Sequence, residues 1–392
     1  MAANAPTGRF RRIAWLALGN LAVLLLLVLL FEGCSSLLLF ISDFRGEEPL
    51  SERRHTQYDP EIGWVSLPNL VLPGHYGPGI SLHTNSRGFR GSAETADRHA
   101  AGERRLICSG DSFTLGFGVS DDQTWCHLLG QLVPGLETIN MGQGGYGIGQ
   151  SYLAYERNVR DVEHELHIFA FIRDDFNRMG KSEFLGYGKP RVAMEGGSLV
   201  VRNVPVPRGA YRLPWLTRNL PALQQIGTVQ MLMRLRSALG WSPARESGGL
   251  SSSSREEMAR VMRHIFLDLR RLAEERSSRL VLVFLPNKFD YRGREGALWV
   301  DFVRSQAEAA GVPLVDLIND FRSLSQQSMR QLFIKPGELA APYADDHYNA
   351  RGNRYVAEAL LRKLSAIPEV AGALGLPTAA AEFAPISNEA TR

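Results

Sequence analysis

From residue 104 the chain keeps a rhythm that few folds satisfy. Short unbroken apolar runs alternate with stretches of helical period. The runs are "RRLICSG", "ETINMG", "ELHIFAFI" (Glu165–Ile172), "RLVLVFLP" (Arg279–Pro286) and "VPLVDL" (Val312–Leu317). An apolar run of this length with no polar alternation reads as a strand covered on both faces. Helices are expected from about Asp122 and from about Ile148. The stretch "REEMARVMRHIFLDLRRLAEE" carries Met258, Val261, Met262, Ile265, Leu267 and Leu269 close to a helical stripe. Strands and helices in alternation imply an α/β fold, a buried parallel sheet of five strands with helices on both faces.

The flanks do not share the rhythm. Residues 44–103 are rich in Gly, Pro and charge and read as an irregular leader packed on the domain at 104–366. Residues 183–254 interrupt that domain after the third strand. Within them "RVAMEGGSLVVRNVPVP" reads as a hairpin turning at Gly196-Gly197, "ALQQIGTVQMLMRLRSAL" as helix, and "SPARESGGLSSSS" as a flexible linker. Active sites of open α/β sheets lie beyond the carboxyl ends of the strands, where this insertion forms a lid or a cleft wall. Tyr187, Tyr211 and Trp215 within it suit stacking on sugars or anchoring of the hairpin. Residues 367–392 are Ala/Pro-rich and are expected to be a disordered tail.

Residues 1–43 read as a cytoplasmic stub and membrane anchor. Ile13 to Phe31 form an apolar stretch with Asn20 its one strongly polar residue, enough to span a bilayer as a helix. Arg9, Arg11 and Arg12 precede it and Glu47, Glu48 and Glu52 follow it. The positive-inside bias then keeps the N-terminus in the cytoplasm and sends the rest across. A cleaved signal peptide would have a shorter apolar region and an A-x-A-like site. Lipidation of Cys34 is disfavoured by Glu32 in "FEGC". The main domain is therefore expected outside the cytoplasmic membrane, tethered to it by a single pass. That compartment permits disulfides. A bridge between Cys108 and Cys126, or two inert buried thiols, fits the sequence equally.

Composition excludes other classes. The net charge is +3 on 392 residues, too mild for nucleic acid. No zinc-type spacing of Cys and His occurs, so neither metal nor cofactor is expected. His164 and His167 read as ordinary surface or edge residues. Gly142, Gly144 and Gly147 spell G-x-G-x-x-G, but after the second strand rather than the first, which disfavours a dinucleotide loop.

The strand-end loops gather the chemistry. "GDSFTLG" brings Ser112, "NMGQGGYGIGQ" brings Asn140, Gly142 and Gly145, "RDDFN" brings Asp174, Asp175 and Asn177, and "YADDHYNARGN" brings Asp345, Asp346 and His347. A serine, a histidine and an acid on converging loops suit nucleophilic acyl transfer. Ser112 as a helix N-cap is the plain alternative.

Four blocks in this order resemble the SGNH (GDSL) hydrolase superfamily over roughly residues 60–365, in its membrane-tethered bacterial form related to polysaccharide acetylation and deacetylation proteins. The leader segments "DPEIGWVSLPN" and "TNSRGFRG" resemble that form too. The resemblance implies a flavodoxin-like three-layer sandwich, with Ser112 as nucleophile and its own N–H as an oxyanion donor. It makes Gly145 a second donor, His347 the base and Asp345 the orienting acid. The chain departs from the pattern at two places. Many members carry Asp three residues before the histidine, where this chain has Ala344; Asp345 is preferred to Asp346 because adjacent side chains diverge. The third block ordinarily supplies an Asn that donates to the oxyanion, and this chain has Asp174. An ionised carboxylate donates nothing. Protonation of Asp174 by burial, neutralisation by Arg173 or substitution by Asn177 would each relieve the defect. The implied function is a serine esterase or O-acyltransferase anchored by a single pass in a bacterial inner membrane, its catalytic domain periplasmic, acting on an O-acylated, chiefly acetylated, glycan. A catalytically degenerate scaffold or glycan-binding component of an envelope complex is the alternative, and a lipid esterase a third.

Overall fold

The computed structural model describes residues 7–45, 54–185, 187–207, 226–228, 231–232, 235, 252–290, 295–339, 341 and 344–376. A single helix, α1 (Thr7–Arg45), opens the chain. Its Arg11–Leu39 segment is long and apolar enough to cross a membrane, and every side chain from Arg11 to Phe31 is exposed.

The leader is built of two antiparallel hairpins, β1 (Thr56–Asp59) with β2 (Gly63–Ser66), and β3 (Val71–Gly77) with β4 (Ile80–His83). The main domain follows as β5 (Arg104–Ser109), α2 (Ser112–Leu115), α3 (Trp125–Leu132), β6 (Leu136–Asn140), α4 (Ile148–Asn158), β7 (Leu166–Phe171) and α5 (Arg173–Met179). Short strands β8 (Glu183–Phe184) and β9 (Tyr187–Gly188) precede the hairpin β10 (Arg191–Glu195) and β11 (Ser198–Arg202). The last part holds α6 (Ser252–Glu275), β12 (Arg279–Phe284), α7 (Glu295–Ala310), β13 (Leu314–Asp316), α8 (Ala350–Ser365) and α9 (Pro368–Leu374).

Strands β13, β12, β7, β5 and β6 pair in that order, all parallel, to form a five-stranded sheet. This is the doubly wound α/β architecture expected from the apolar rhythm. Residue parity divides the core. Ile107, Phe169, Phe171, Leu282 and Phe284 face one layer with Met262, Ile265, Phe266 and Tyr155. Leu106, Cys108, Ile168, Ala170, Val281 and Val283 face the other with Trp125, Leu129, Val356 and Leu360. Alternate side chains of a strand point to opposite faces, so fully apolar strands are required when both faces carry helices. Cys108 on β5 is bridged to Cys126 on α3 by a disulfide.

Four expectations are corrected. The buried stripe of α6 runs Met258, Val261, Met262, Ile265, Phe266, Leu269, Leu272 and Ala273, and Leu267 is exposed. His164 and His167 are buried, not surface residues. The His167 ring stacks on Tyr155 at 3.5 Å and meets the Ser109 Oγ at 2.6 Å, while His164 meets the Tyr155 hydroxyl at 2.8 Å. Burial pushes the imidazole of His164 down to about 4 and that of His167 lower than its ordinary value. Residues from 367 onward do not begin a disordered tail: α9 is ordered and buries Val370, Ala371 and Leu374. Its N1 proline, Pro368, has the φ a helix start needs and lacks an N–H that would be unpaired there. Finally, Ser252–Ser254 belong to α6 rather than to a linker. The rest of that linker, Tyr211, Trp215, most of the expected insertion helix and the end of the tail from residue 377 lie outside the described residues.

The hairpin at Gly196-Gly197 forms as expected, with Glu195 opposite Ser198 and both glycines at positive φ, 56° and 86°. Two consecutive positive-φ residues match the twist of the flanking strands.

Candidate active site

The carboxyl end of β5 leads into one turn of helix. Asp111, not Ser112, is its N-cap: the Asp111 carboxylate accepts the Phe113 N–H at 2.9 Å. Gly116 ends the turn in the left-handed conformation, φ 77°. Capping by the neighbour leaves the Ser112 hydroxyl unused by its own backbone. Gly110 precedes the cap because a Cβ there would lie 2.5 Å from the Ala170 carbonyl oxygen. The strand therefore passes β7 closely enough to set Ser112 at the sheet's edge.

His347 approaches from a turn between residues 344 and 349. Its Nε2 lies 2.8 Å from Ser112 Oγ, across 235 residues of sequence. The sequence downstream fixes the turn. Asn349 caps α8 by accepting the Gly352 N–H at 3.0 Å, and Gly352 packs so tightly that a Cβ would sit 2.1 Å from the Leu332 carbonyl oxygen. Asn353 accepts the Trp125 N–H at 3.0 Å, tying α8 to the helix after the nucleophile turn. The imidazole sits against two rings of the Ser112 segment, Phe113 at 4.8 Å and Phe117 at 5.1 Å between centroids. Its Nδ1 lies 3.3 Å from the Ala344 carbonyl oxygen. An acceptor on Nδ1 favours the tautomer with its proton there, which leaves Nε2 free to accept the serine proton.

The structure does not bring Asp345 to this ring. Its side chain is exposed and makes no hydrogen bond or ion pair with any described residue. Asp346 takes a left-handed φ of 79° and turns to pair with Lys288. That reversal at Asp346 separates the Asp345 carboxylate from the imidazole two residues on.

Gly145 lies in the loop between β6 and α4 with φ 78°, a conformation that glycine enters freely. The loop is fastened to the Ser112 turn. Asn140 donates to the Thr114 carbonyl at 2.8 Å and accepts the Gly142 N–H at 2.9 Å, and a Cβ on Gly142 would lie 2.1 Å from the Leu115 nitrogen. The G-x-G-x-x-G pattern is thus consumed by contact between loops. Neither the Ser112 N–H nor the Gly145 N–H has a hydrogen-bond acceptor among the described residues. Amides without an acceptor, on two loops in contact, are the kind of group that can hold an oxyanion.

Beneath Ser112 lies a buried charge cluster. Arg178 reaches Asp175 at 2.8 Å, Asp111 at 3.6 Å and the Tyr146 carbonyl at 2.9 Å. Burial raises the carboxyl of Asp111, with Arg178 opposing; Asp175 is raised further by burial and by the charge of Asp111. Asp174 is half-buried on α5, close enough to raise both neighbours by its charge. Arg173 pairs with the buried Asp290 at 3.3 Å. Asn177 is exposed on α5 and hydrogen-bonds to no described residue. No group of three or more His, Cys, Asp or Glu suited to a metal occurs among the described residues.

The sequence reading missed the rings of Phe113 and Phe117, the Asp111–Asp175–Arg178 cluster, and the loop after β12 that carries Lys288 and Asp290. The last was open to the strand-end rule, since Pro286–Asp290 follows the fourth apolar run.

No protein-family model matches the chain, and no curated protein matches it. Among solved structures it is similar to a lipolytic G-D-S-L family member from Veillonella parvula DSM 2008, at 14% identity over 66% of this chain and 96% of that one, TM-score 0.35. It is similar to the acetyl xylan esterase AlAXEase, at 14% identity over 66% of this chain and 98% of that one, TM-score 0.36. It is also similar to TesA, at 10% identity over 67% and 98%, TM-score 0.37. Likenesses this distant leave the chemistry to be argued from this chain's own residues.

Proposed function

We propose that the chain is a membrane-anchored serine esterase or O-acyltransferase of SGNH type. The observation that carries this reading is the 2.8 Å contact between Ser112 Oγ and His347 Nε2. Ser112 Oγ attacks the acyl carbonyl carbon as its proton passes to His347 Nε2. The carbonyl oxygen becomes an oxyanion facing the N–H groups of Ser112 and Gly145. His347 then protonates the departing alcohol, leaving an acyl group on Ser112. Water or a sugar hydroxyl, deprotonated by the same imidazole, attacks that ester and regenerates the serine.

Acetylated glycan outside the cytoplasmic membrane is the substrate class we favour. Support comes from the family resemblance, the basic residues before an apolar α1, and the Cys108–Cys126 disulfide, which suits an oxidising compartment. A fluorophosphonate probe on the full chain in detergent tests the chemistry. Labelling at Ser112, with hydrolysis of an aryl acetate lost in Ser112→Ala and His347→Asn, is the expected result. An unlabelled, inert wild type would remove the esterase reading. Asp174 favours a second reading, a glycan-binding scaffold, because a carboxylate near a developing oxyanion opposes it. Polysaccharide binding by a chain inert to the probe would support that one.

A further inference from the structure

The leader hairpin β1–β2 grips the loop that carries Gly145. Trp64, fully buried on β2, donates its indole N–H to the Gly144 carbonyl oxygen at 2.9 Å. Tyr146, on the other side of Gly145, returns the contact by donating its hydroxyl to the Trp64 carbonyl at 2.6 Å, with the two rings edge-on at 5.8 Å. Ser66 binds the Gln143 side chain at 2.6 Å, and Gln150 binds the Ile62 carbonyl at 2.9 Å.

The acceptor that Trp64 uses is the informative part. The Gly144 carbonyl and the Gly145 N–H belong to one peptide unit. That unit is planar and trans, so its oxygen and its hydrogen point in opposite directions. Holding the oxygen on the leader's side aims the N–H away from the leader. That N–H is the one without an acceptor among the described residues. Glycines on both sides of the bond let the plane rotate cheaply, so an external hold is needed to define it.

We propose that Trp64 is a positioning residue for acyl transfer: its indole N–H sets the Gly144–Gly145 peptide plane and so aims the second oxyanion donor. This rests on the esterase reading above and deepens it. The leader is thereby part of the active site's machinery rather than a spacer between anchor and enzyme. A buried tryptophan N–H finds some acceptor in any protein, so the test must separate aim from packing.

The test uses the full chain in detergent micelles with aryl acetate turnover and fluorophosphonate labelling. Trp64→Phe keeps an aromatic ring and removes the donor. Replacement of Trp64 by benzothienylalanine keeps the bicyclic shape and removes only the N–H, which covers a Phe variant that folds poorly. Both are expected to lower kcat about tenfold, less than outright loss of a donor, with KM unchanged and Ser112 labelling slowed in parallel. Tyr155→Phe, which removes a buried hydrogen bond remote from the loop, is expected to lower thermal stability while leaving kcat alone. Folded Trp64 variants with wild-type kcat and labelling rate would overturn the proposal while the esterase reading stands. A wild type inert to both reagents would overturn the two together.

Discussion

Single side chains decide how well this site works. Asp345 points into solvent, so Asp345→Asn is expected to keep aryl acetate hydrolysis within about threefold of wild type, as befits a residue outside the hydrogen-bonded set. A loss of a thousandfold or more would mean that the carboxylate reaches His347 during turnover. The imidazole rests against two aromatic faces and a backbone carbonyl, none of which needs the Asp345 carboxylate. On the esterase reading, Asp174 is expected to hinder the oxyanion. Asp174→Asn replaces a charge beside the Asp111–Asp175 pair with an amide that can donate. It is expected to raise kcat at least roughly tenfold, since a single oxyanion donor is commonly worth about 10²–10³. An unchanged or lower kcat would place the side chain away from the oxyanion.

At the scale of elements, α2 depends on a residue of the leader. Arg90, in the loop after β4, has a side chain only 1% exposed. It pairs with Asp121 and donates to the carbonyls of Leu115 and Gly116 at 3.3 and 3.4 Å and of Val119 at 2.6 Å. Its backbone N–H also binds the Asn140 carbonyl at 3.0 Å. The last carbonyls of a helical turn have no partners within it, and one guanidinium supplies several in a fixed fork. Arg90→Met strands those carbonyl acceptors and leaves the Asp121 carboxylate to His83 alone. Denaturant unfolding is expected to show a loss of about 3 kcal/mol, with slower turnover as α2 loosens. Lysine, with one ammonium in place of the fork, should recover only part of it.

For the whole molecule, the issue is where these loops operate. Helix α1 exposes an unbroken apolar surface, and water is a poor solvent for it. The chain is expected to remain in membranes through an alkaline carbonate wash, with its N-terminal segment intact by mass spectrometry. Release with the segment missing would identify a cleaved signal. The leader strands and the residues after them contact both the Gly145 loop and the Ser112 turn, through Trp64 and Arg90.

Much of the fold was legible in the sequence because burial on both faces demands unbroken apolar strands, and those runs stand out. Ser112 and His347 were singled out by their places on loops beside helix starts and by a family resemblance, and the structure brings the two within 2.8 Å. What escaped was everything set by orientation. Only the tertiary structure decided that Asp346 turns the chain so that Asp345 misses the ring, and that two phenylalanines hold the imidazole. The same holds for His164 and His167, which the spacing of residues placed at an edge but which the packing of α4 on β7 buries beside Tyr155. Sequence spacing fixes which residues share a strand or a turn. The direction of a side chain across hundreds of residues depends on packing between elements, which no local pattern encodes.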